Sequence, residues 1–339
     1  MKRIITITLV AALVAGSALA YWRHAARAAE TNGIPEIIFY APADAKAIIY
    51  VDLAALRSSA FATQMNALGA SQNPESEYLS FVQATGFDFA RDLDRAALIV
   101  RQDSPGQVEL AVAEGRFDQT KISAYALRSG KSERAGGADI YEVPQGAAGN
   151  PTVFTFLDKD RIALAQGQNA KAILASLLRT GRQSALDPEM QAHILRLAGS
   201  AVFAVGQISQ LPENLAPGGM HSDQLDNLAH TVRWVGLGLR PEGEVLHLVV
   251  EAECVTPENA NQLAGTADEF RALGQSTFSD PKTRSRVAPQ IASLIDSLLN
   301  DLHISQDANR VRLTLDLTRD EIQQISQAAP GVPSPSKKP

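Results

Sequence analysis

Ala97-Leu98-Ile99-Val100-Arg101, then Pro105-Gly106, then Val108-Glu109-Leu110-Ala111-Val112: two apolar segments around a turn signal read as an antiparallel hairpin. A helix opening at Asp118 closes the unit, which runs over residues 96–127. The same order of strand, turn, strand and helix returns over residues 232–273, with Pro241-Glu242-Gly243 at the turn and a helix opening near Pro257. Two copies of one unit imply an internal duplication. The expected fold is α+β: two related halves, each a mostly antiparallel sheet packed with helices.

Outward from the first copy, residues 47–53 carry apolar side chains on both faces, as a central strand does. Leu53, Leu56, Phe61, Met65 and Leu68 form the inner stripe of an expected helix, and Tyr78, Leu79, Phe81 and Val82 that of a second, stopped by Gly86. Residues 87–94 form a compact turn before the hairpin. Three strands are expected at 139–143, 152–157 and 161–165, the last two joined at Asp158-Lys159-Asp160, then a helix ending at Gly181. In the second half a helix over 188–197 precedes a strand over 201–205. Two helices follow the repeated hairpin, with Ala260, Leu263, Ala267 and Phe270 in step on one and Val287, Ile291, Leu294, Ile295 and Leu298 on the other. A last hairpin, 302–307 with 310–317, alternates Val311, Leu313, Leu315 and Leu317 against Arg310, Arg312, Thr314 and Asp316. The expected organisation is a signal peptide or membrane anchor over 1–24, a tether over 25–43, halves over 44–182 and 183–327, and a disordered Pro-rich tail over 328–339.

At 339 residues, 45% hydrophobic and 20% charged, the chain has room for two globular domains. A net charge of -6 without a basic stripe excludes nucleic acid as a partner class. Cys254 is the sole cysteine, so no intramolecular disulfide forms; it lies in phase with Leu246, Leu248, Val250 and Ala252, the side that alternation assigns to the core. Lys2 and Arg3 precede an apolar and small-residue run over residues 4–20, which marks export. Ala18-Leu19-Ala20 fits cleavage after Ala20, whereas the length of the run and the Tyr21-Trp22 pair fit a retained anchor. Either way the body is expected outside the cytoplasm, periplasmic or anchored to the inner membrane, touching the membrane only through this segment.

No Gly-x-Ser-x-Gly elbow or Walker loop occurs, and no catalytic, cofactor-binding or metal residue is assigned. Gly236-Leu237-Gly238 lies inside a strand with Pro241 where a nucleotide fingerprint needs glycine. Trp234 alternates onto the face of Gly236 and Gly238, so these three residues make a candidate patch for a flat ligand; a ring folded over its own glycines is the plainer reading. His221, Asp223, Asp226 and His230 could hold a metal, although capping explains the aspartates equally well. Asp88, Asp92 and Asp94 lack the ligand spacing of a calcium loop and have Arg91 and Arg95 among them, which favours a solvated turn or helix cap.

The runs Ala41-Pro42-Ala43-Asp44-Ala45, Tyr50-Val51-Asp52-Leu53-Ala54-Ala55-Leu56-Arg57 and Thr85-Gly86-Phe87-Asp88-Phe89-Ala90-Arg91-Asp92-Leu93-Asp94, with residues 78–81, resemble a family of uncharacterised exported proteins of soil bacteria. The resemblance covers about the first hundred residues and implies an envelope location and a duplicated α+β body, with no activity or catalytic residues to transfer. The leading expectation is a non-enzymatic module, without cofactor, that binds an envelope protein or surface ligand. The alternative is a periplasmic enzyme of hydrolase type with a site between the halves or in the 210–223 loop.

Overall fold

The computed structural model describes residues 33–62, 76–103, 106–144, 151–167, 169–181, 186–210, 230–285 and 289–328. The chain is α+β, its strands joined in antiparallel ladders, and divides into two compact units. The first comprises Met1–Ser58 and Gly69–Ala204, the second Ser59–Leu68 and Val205–Pro339. The division falls later than the expected 182/183 boundary and is not contiguous. Residues 188–196 therefore belong to the first unit, and the short piece after Ser58 belongs to the second.

In the first unit, β1 (Ala47–Asp52) runs into α1 (Leu53–Ser58); α2 (Ser76–Thr85) and α3 (Phe89–Asp92) lead to the hairpin β2 (Leu93–Asp103) and β3 (Gly106–Gly115). After α4 (Gln119–Ala126) come β4 (Lys131–Ala135), β5 (Ala138–Val143), β6 (Thr152–Phe156) and β7 (Arg161–Ala165), then α5 (Ala170–Thr180) and α6 (Pro188–Arg196). β8 (Val202–Gln207) straddles the division between units. The strand order from β1 is β1-β2-β3-β7-β6-β5-β4, with every neighbouring pair antiparallel. Ile48, Ile99 and Val112 have no solvent exposure, because β1, β2 and β3 carry apolar side chains on both faces and only a covered, central position hides both. The Asp118 carboxylate caps α4 by accepting from the Lys121 amide, as its place at the helix start implies.

Two features of this unit depart from the reading of the sequence. β4 is an extra strand, its residues Lys131, Ser132, Glu133 and Arg134 all exposed, and it pairs with β5 across Gly136-Gly137. Both glycines have positive φ, +61° and +90°, the conformation a two-residue hairpin turn requires, and a Cβ on Gly136 would come within 2.7 Å of the Leu178 Cβ. The expected tether over 25–43 is, from Ile34 onward, a packed strap: Ile34, Ile37, Ile38 and Ala41 are fully buried around a 3-10 turn, Glu36–Tyr40, that lies against β2 and β3. Pro35 and Pro42 suggested a linker; the three isoleucines decide otherwise.

The second unit holds β9 (Val232–Glu242), β10 (Val245–Cys254), α7 (Pro257–Ser279), α8 (Pro281–Arg284), α9 (Pro289–Asp301), β11 (His303–Asp307), β12 (Arg310–Thr318) and α10 (Arg319–Ala328). Its strands run β9-β10-β12-β11, again antiparallel throughout. The turn of the first hairpin sits one residue beyond its expected place: Pro241 and Glu242 belong to β9, and Gly243, at φ +57°, makes the reversal. On one face Ala252, Cys254 and Val311 pack with Ala260 and Leu263 of α7. Leu246, Ile322 and Phe61, the last from the Ser59–Leu68 piece, form a second cluster. Opposite them, Glu251 pairs with Arg312 at 3.1 Å and His247 with Asp316 at 2.6 Å, the wet-face alternation expected of β12. Of the stripe expected on α7, Ala260 is fully buried but Phe270 is 69% exposed.

Among the described residues no helix is long and apolar enough to cross a membrane; residues 1–24 and 329–339 lie outside them, as do Met65, Leu68 and Val287. Because the strap belongs to the core, Ile38→Ala should destabilise the protein by about 2–5 kcal/mol in urea unfolding. A loss below about 1 kcal/mol would show that the strap is not part of the cooperative unit.

Candidate functional site

β9 carries Trp234, Gly236 and Gly238 on one face, opposite Glu253, Glu251 and Val249 of β10. All three are buried, Trp234 to 1% exposure, so the ring is closed off from solvent. Of the suggested metal cluster, His221, Asp223 and Asp226 lie outside the described residues, as does most of the 210–223 loop, and His230 is exposed. Cys254 is the buried thiol its alternation implied, and burial pushes its pKa up, which keeps it protonated and unreactive.

The acidic run of the first unit separates into three roles. Asp88 caps α3, accepting from the Ala90 amide at 3.0 Å and from the Tyr78 hydroxyl at 3.0 Å. Asp94 accepts from Arg57, whose side chain is 4% exposed and which also donates to the Arg91 carbonyl. Burial pulls the Arg57 pKa down to about 9 against the opposing pull of Asp94. Asp92 accepts from the Asp88 amide at 2.9 Å and pairs with Arg91 at 2.9 Å and Arg116 at 3.3 Å. The helix cap expected here is present at Asp88, while Asp92, 8% exposed, is buried among its partners. Arg95 leaves this group altogether.

Arg95 instead belongs to a ladder of alternating charge across four neighbouring strands. Asp52 stands opposite Arg95, with Glu114 and Arg161 next along the row. Arg95 donates to Asp52 at 3.1 Å and to Glu114 at 2.9 Å; Arg161 donates to Glu114 at 3.2 Å, to Asp158 at 3.1 Å and to Glu36 on the strap at 2.9 Å. Each guanidinium is forked between carboxylates, an arrangement that fastens strand ends and the strap together. The Tyr50 hydroxyl points at Asp52, 3.4 Å away; burial and that carboxylate push the phenol pKa well up. These groups satisfy one another. Sequence reasoning missed the ladder because its members lie on separate strands and meet only through the register.

A second cluster on α2, α3 and α4 is aromatic. Phe81 packs on Phe87, Phe89 and Tyr125 with centroids 6.2, 5.8 and 5.3 Å away; Phe89 stacks on Tyr78 at 5.4 Å, and Phe87 on Phe117 at 5.0 Å. Arg128 lies over the Tyr125 ring at 5.1 Å. Only Phe87 of the six rings is fully buried, and Leu79 and Leu127, on and just after the same helices, are 53% and 47% exposed. Half-buried Phe and Tyr rings thus lie beside the exposed Leu79, Leu127 and Arg128. Tyr78, Leu79 and Phe81 were legible as a helix stripe; that Leu79 turns outward was not.

No protein-family model matches the chain, and no curated protein matches it. Among solved structures, crystal form III of TP0453 superposes with a TM-score of 0.46 at 12% identity, covering 87% of this chain and 98% of that one. Crystal form I gives 0.42 at 11%, covering 86% and 96%. Likeness at this level says nothing of activity or partners.

Two outcomes are expected from the site. Burial works to raise the Asp92 carboxyl, but its bonds from Arg91 and the Asp88 amide outweigh that and hold it below the usual range. A carboxyl so lowered contributes stability above about pH 4 that is lost as the pH falls through its folded value. Asp92→Asn should therefore cost about 1–3 kcal/mol at neutral pH, and the gap to wild type should close under acid in paired unfolding curves. Iodide should leave Trp234 emission nearly unquenched in a Trp22→Phe background. Strong quenching would place the ring in solvent.

Proposed function

We propose that this is an exported envelope protein, held in or released from the membrane through its N-terminal segment, that binds an envelope protein or surface ligand without catalysis. The observation that carries this reading is the half-buried aromatic cluster on α2, α3 and α4, with Leu79 and Leu127 exposed beside it. Apolar side chains left in solvent beside aromatic and arginine anchors suit a docking surface. Supporting it, the charged groups of the first unit engage one another in the ladder rather than converging on open space. Membership of the exported soil-bacterial family, and a body built by duplication, are parts of the same proposal. The equal strand orders, β2-β3-β7-β6 in one unit and β9-β10-β12-β11 in the other, support the duplication.

Capture from intact envelopes with the tagged protein tests the proposal. Wild type should retain a partner, and a Leu79→Asp, Leu127→Asp double variant should lose it by roughly tenfold or more while keeping its circular dichroism. Equal retention by both would remove the surface from consideration. Clean failure of capture together with hydrolytic turnover by the pure protein would favour the enzyme instead.

A further inference from the structure

The described part of the first unit begins at Gly33, just before the strap. Gly33 has φ +80°, and a Cβ on it would stand 3.4 Å from the Ala198 Cβ and 3.6 Å from the Leu195 Cδ2, so the strap starts against the end of α6. From there on its course is fixed: Ile34, Ile37, Ile38 and Ala41 are fully buried, and Glu36 pairs with Arg161 at 2.9 Å. Helix α6 buries Met190, His193 and Ile194 and leaves Ala192, Leu195 and the following Ala198 and Gly199 exposed. Leu195, 41% exposed, lies three residues from Ala192 and shares its side of the helix. These exposed residues carry no charge. Arg196 beside them bonds to the His193 ring, and the acids of the helix, Asp187 and Glu189, stand at its opposite end, where Asp187 caps it.

We infer that Ala192, Leu195 and Ala198 face the lipid surface that holds the N-terminal segment, an inference that rests on the reading of that segment as a retained anchor. The tether decides this. Eight residues, 25–32, separate Gly33 from the expected anchor over 1–24. Fully extended they reach at most about 26–29 Å, and as a flexible coil about 14–17 Å. A domain of the first unit's size is roughly 40 Å across, so the side bearing Gly33 turns to the bilayer and the opposite side is out of reach. The composition of the face agrees, because no charged side chain there has to shed water on approach to the lipid. It also lacks the cluster of lysine and arginine that binds anionic headgroups, so the contact is indifferent to salt. One leucine and two alanines add too little affinity to hold a free body on a membrane; a short tether supplies the rest as an effective concentration on the order of millimolar. With the strap packed against β2 and β3, the tether orients the first unit and not merely a loose end of it.

Full-length protein in vesicles of phosphatidylethanolamine and phosphatidylglycerol tests this. With Cys254 buried, a fluorophore on Ala192→Cys reports on the face alone. A nitroxide carried on the lipid headgroups should quench it several-fold more than after insertion of about forty glycine and serine residues following Glu30, which let the coil span about 35–42 Å. Salt at roughly 0.5 M should leave the quenching unchanged. The Leu79→Asp, Leu127→Asp pair should leave it unchanged too, which separates this face from the binding surface of the first unit. An unquenched probe on a chain that keeps Met1 and sediments with the vesicles would overturn the inference and leave the anchor standing. A mature chain in the envelope that begins after Ala20 would overturn it together with the anchor and leave the binding surface untouched. Quenching that survives the longer tether, or a probe shielded only as the protein-to-lipid ratio rises, would assign the face to its own affinity or to a second copy and equally overturn it.

Discussion

The pairing of β2 with β3 is the constraint from which the first unit follows. Side chains on a strand repeat every two residues, so a slip of one would turn Ile99 and Val112 to the opposite face and strand the apolar set of the hairpin. Holding Ile99 opposite Leu110 and Ala97 opposite Val112 leaves both faces apolar, which requires cover on both and neighbours on both edges. β1 and β7 take the edges, and the strap carrying Ile37 and Ile38 lies against the same two strands. The charge ladder is a consequence. Once the register is set, Asp52, Arg95, Glu114 and Arg161 have no other place to go. Magnitudes agree with that order of cause: a buried isoleucine or valine contributes about 1.5–3 kcal/mol, whereas ion pairs as sheltered as these lose much of their attraction to the cost of desolvation. The ladder therefore confirms a register that burial selects, and ties the strap to it through Glu36.

The second unit divides its faces differently, one apolar and the other carrying paired charges beside the buried Trp234. Alternation along β10 and β12 sends Ala252, Cys254 and Val311 beneath α7, while Glu251, Arg312, His247 and Asp316 pair on the other side. Helix α7 packs on this sheet and on α9. Its first half meets the core through Ala260 and Leu263; its second half meets α9 through Gly274 and Gln275 and leaves Phe270 and Leu273 in solvent. In the first unit the short helices α2 and α4 likewise bury one part of their aromatic surface and leave another open. Both units thus place their surplus apolar surface on helices, where it can be lost or changed without disturbing the strand registers beneath.

Much of this was legible in the residues. Each hairpin announced itself by apolar runs around a turn signal, each following helix by its cap, and the buried thiol by its phase in the strand. β4 escaped because Lys131-Ser132-Glu133-Arg134 has no apolar alternation; an edge strand needs none, and Gly136-Gly137 was the signal to heed. The strap escaped because its prolines read as linker while its isoleucines read as nothing periodic.

Sequence by itself determined most of the elements, which of their residues share a face, and that the chain is α+β. Only the tertiary structure decided which strands stand side by side, and so that Asp52, Arg95, Glu114 and Arg161 meet; that Trp234 is sealed; and that Phe270, in step with Ala260 and Leu263, ends in solvent. Periodicity states which side chains point the same way. What lies opposite them depends on contacts between residues far apart in the chain, which no local pattern encodes.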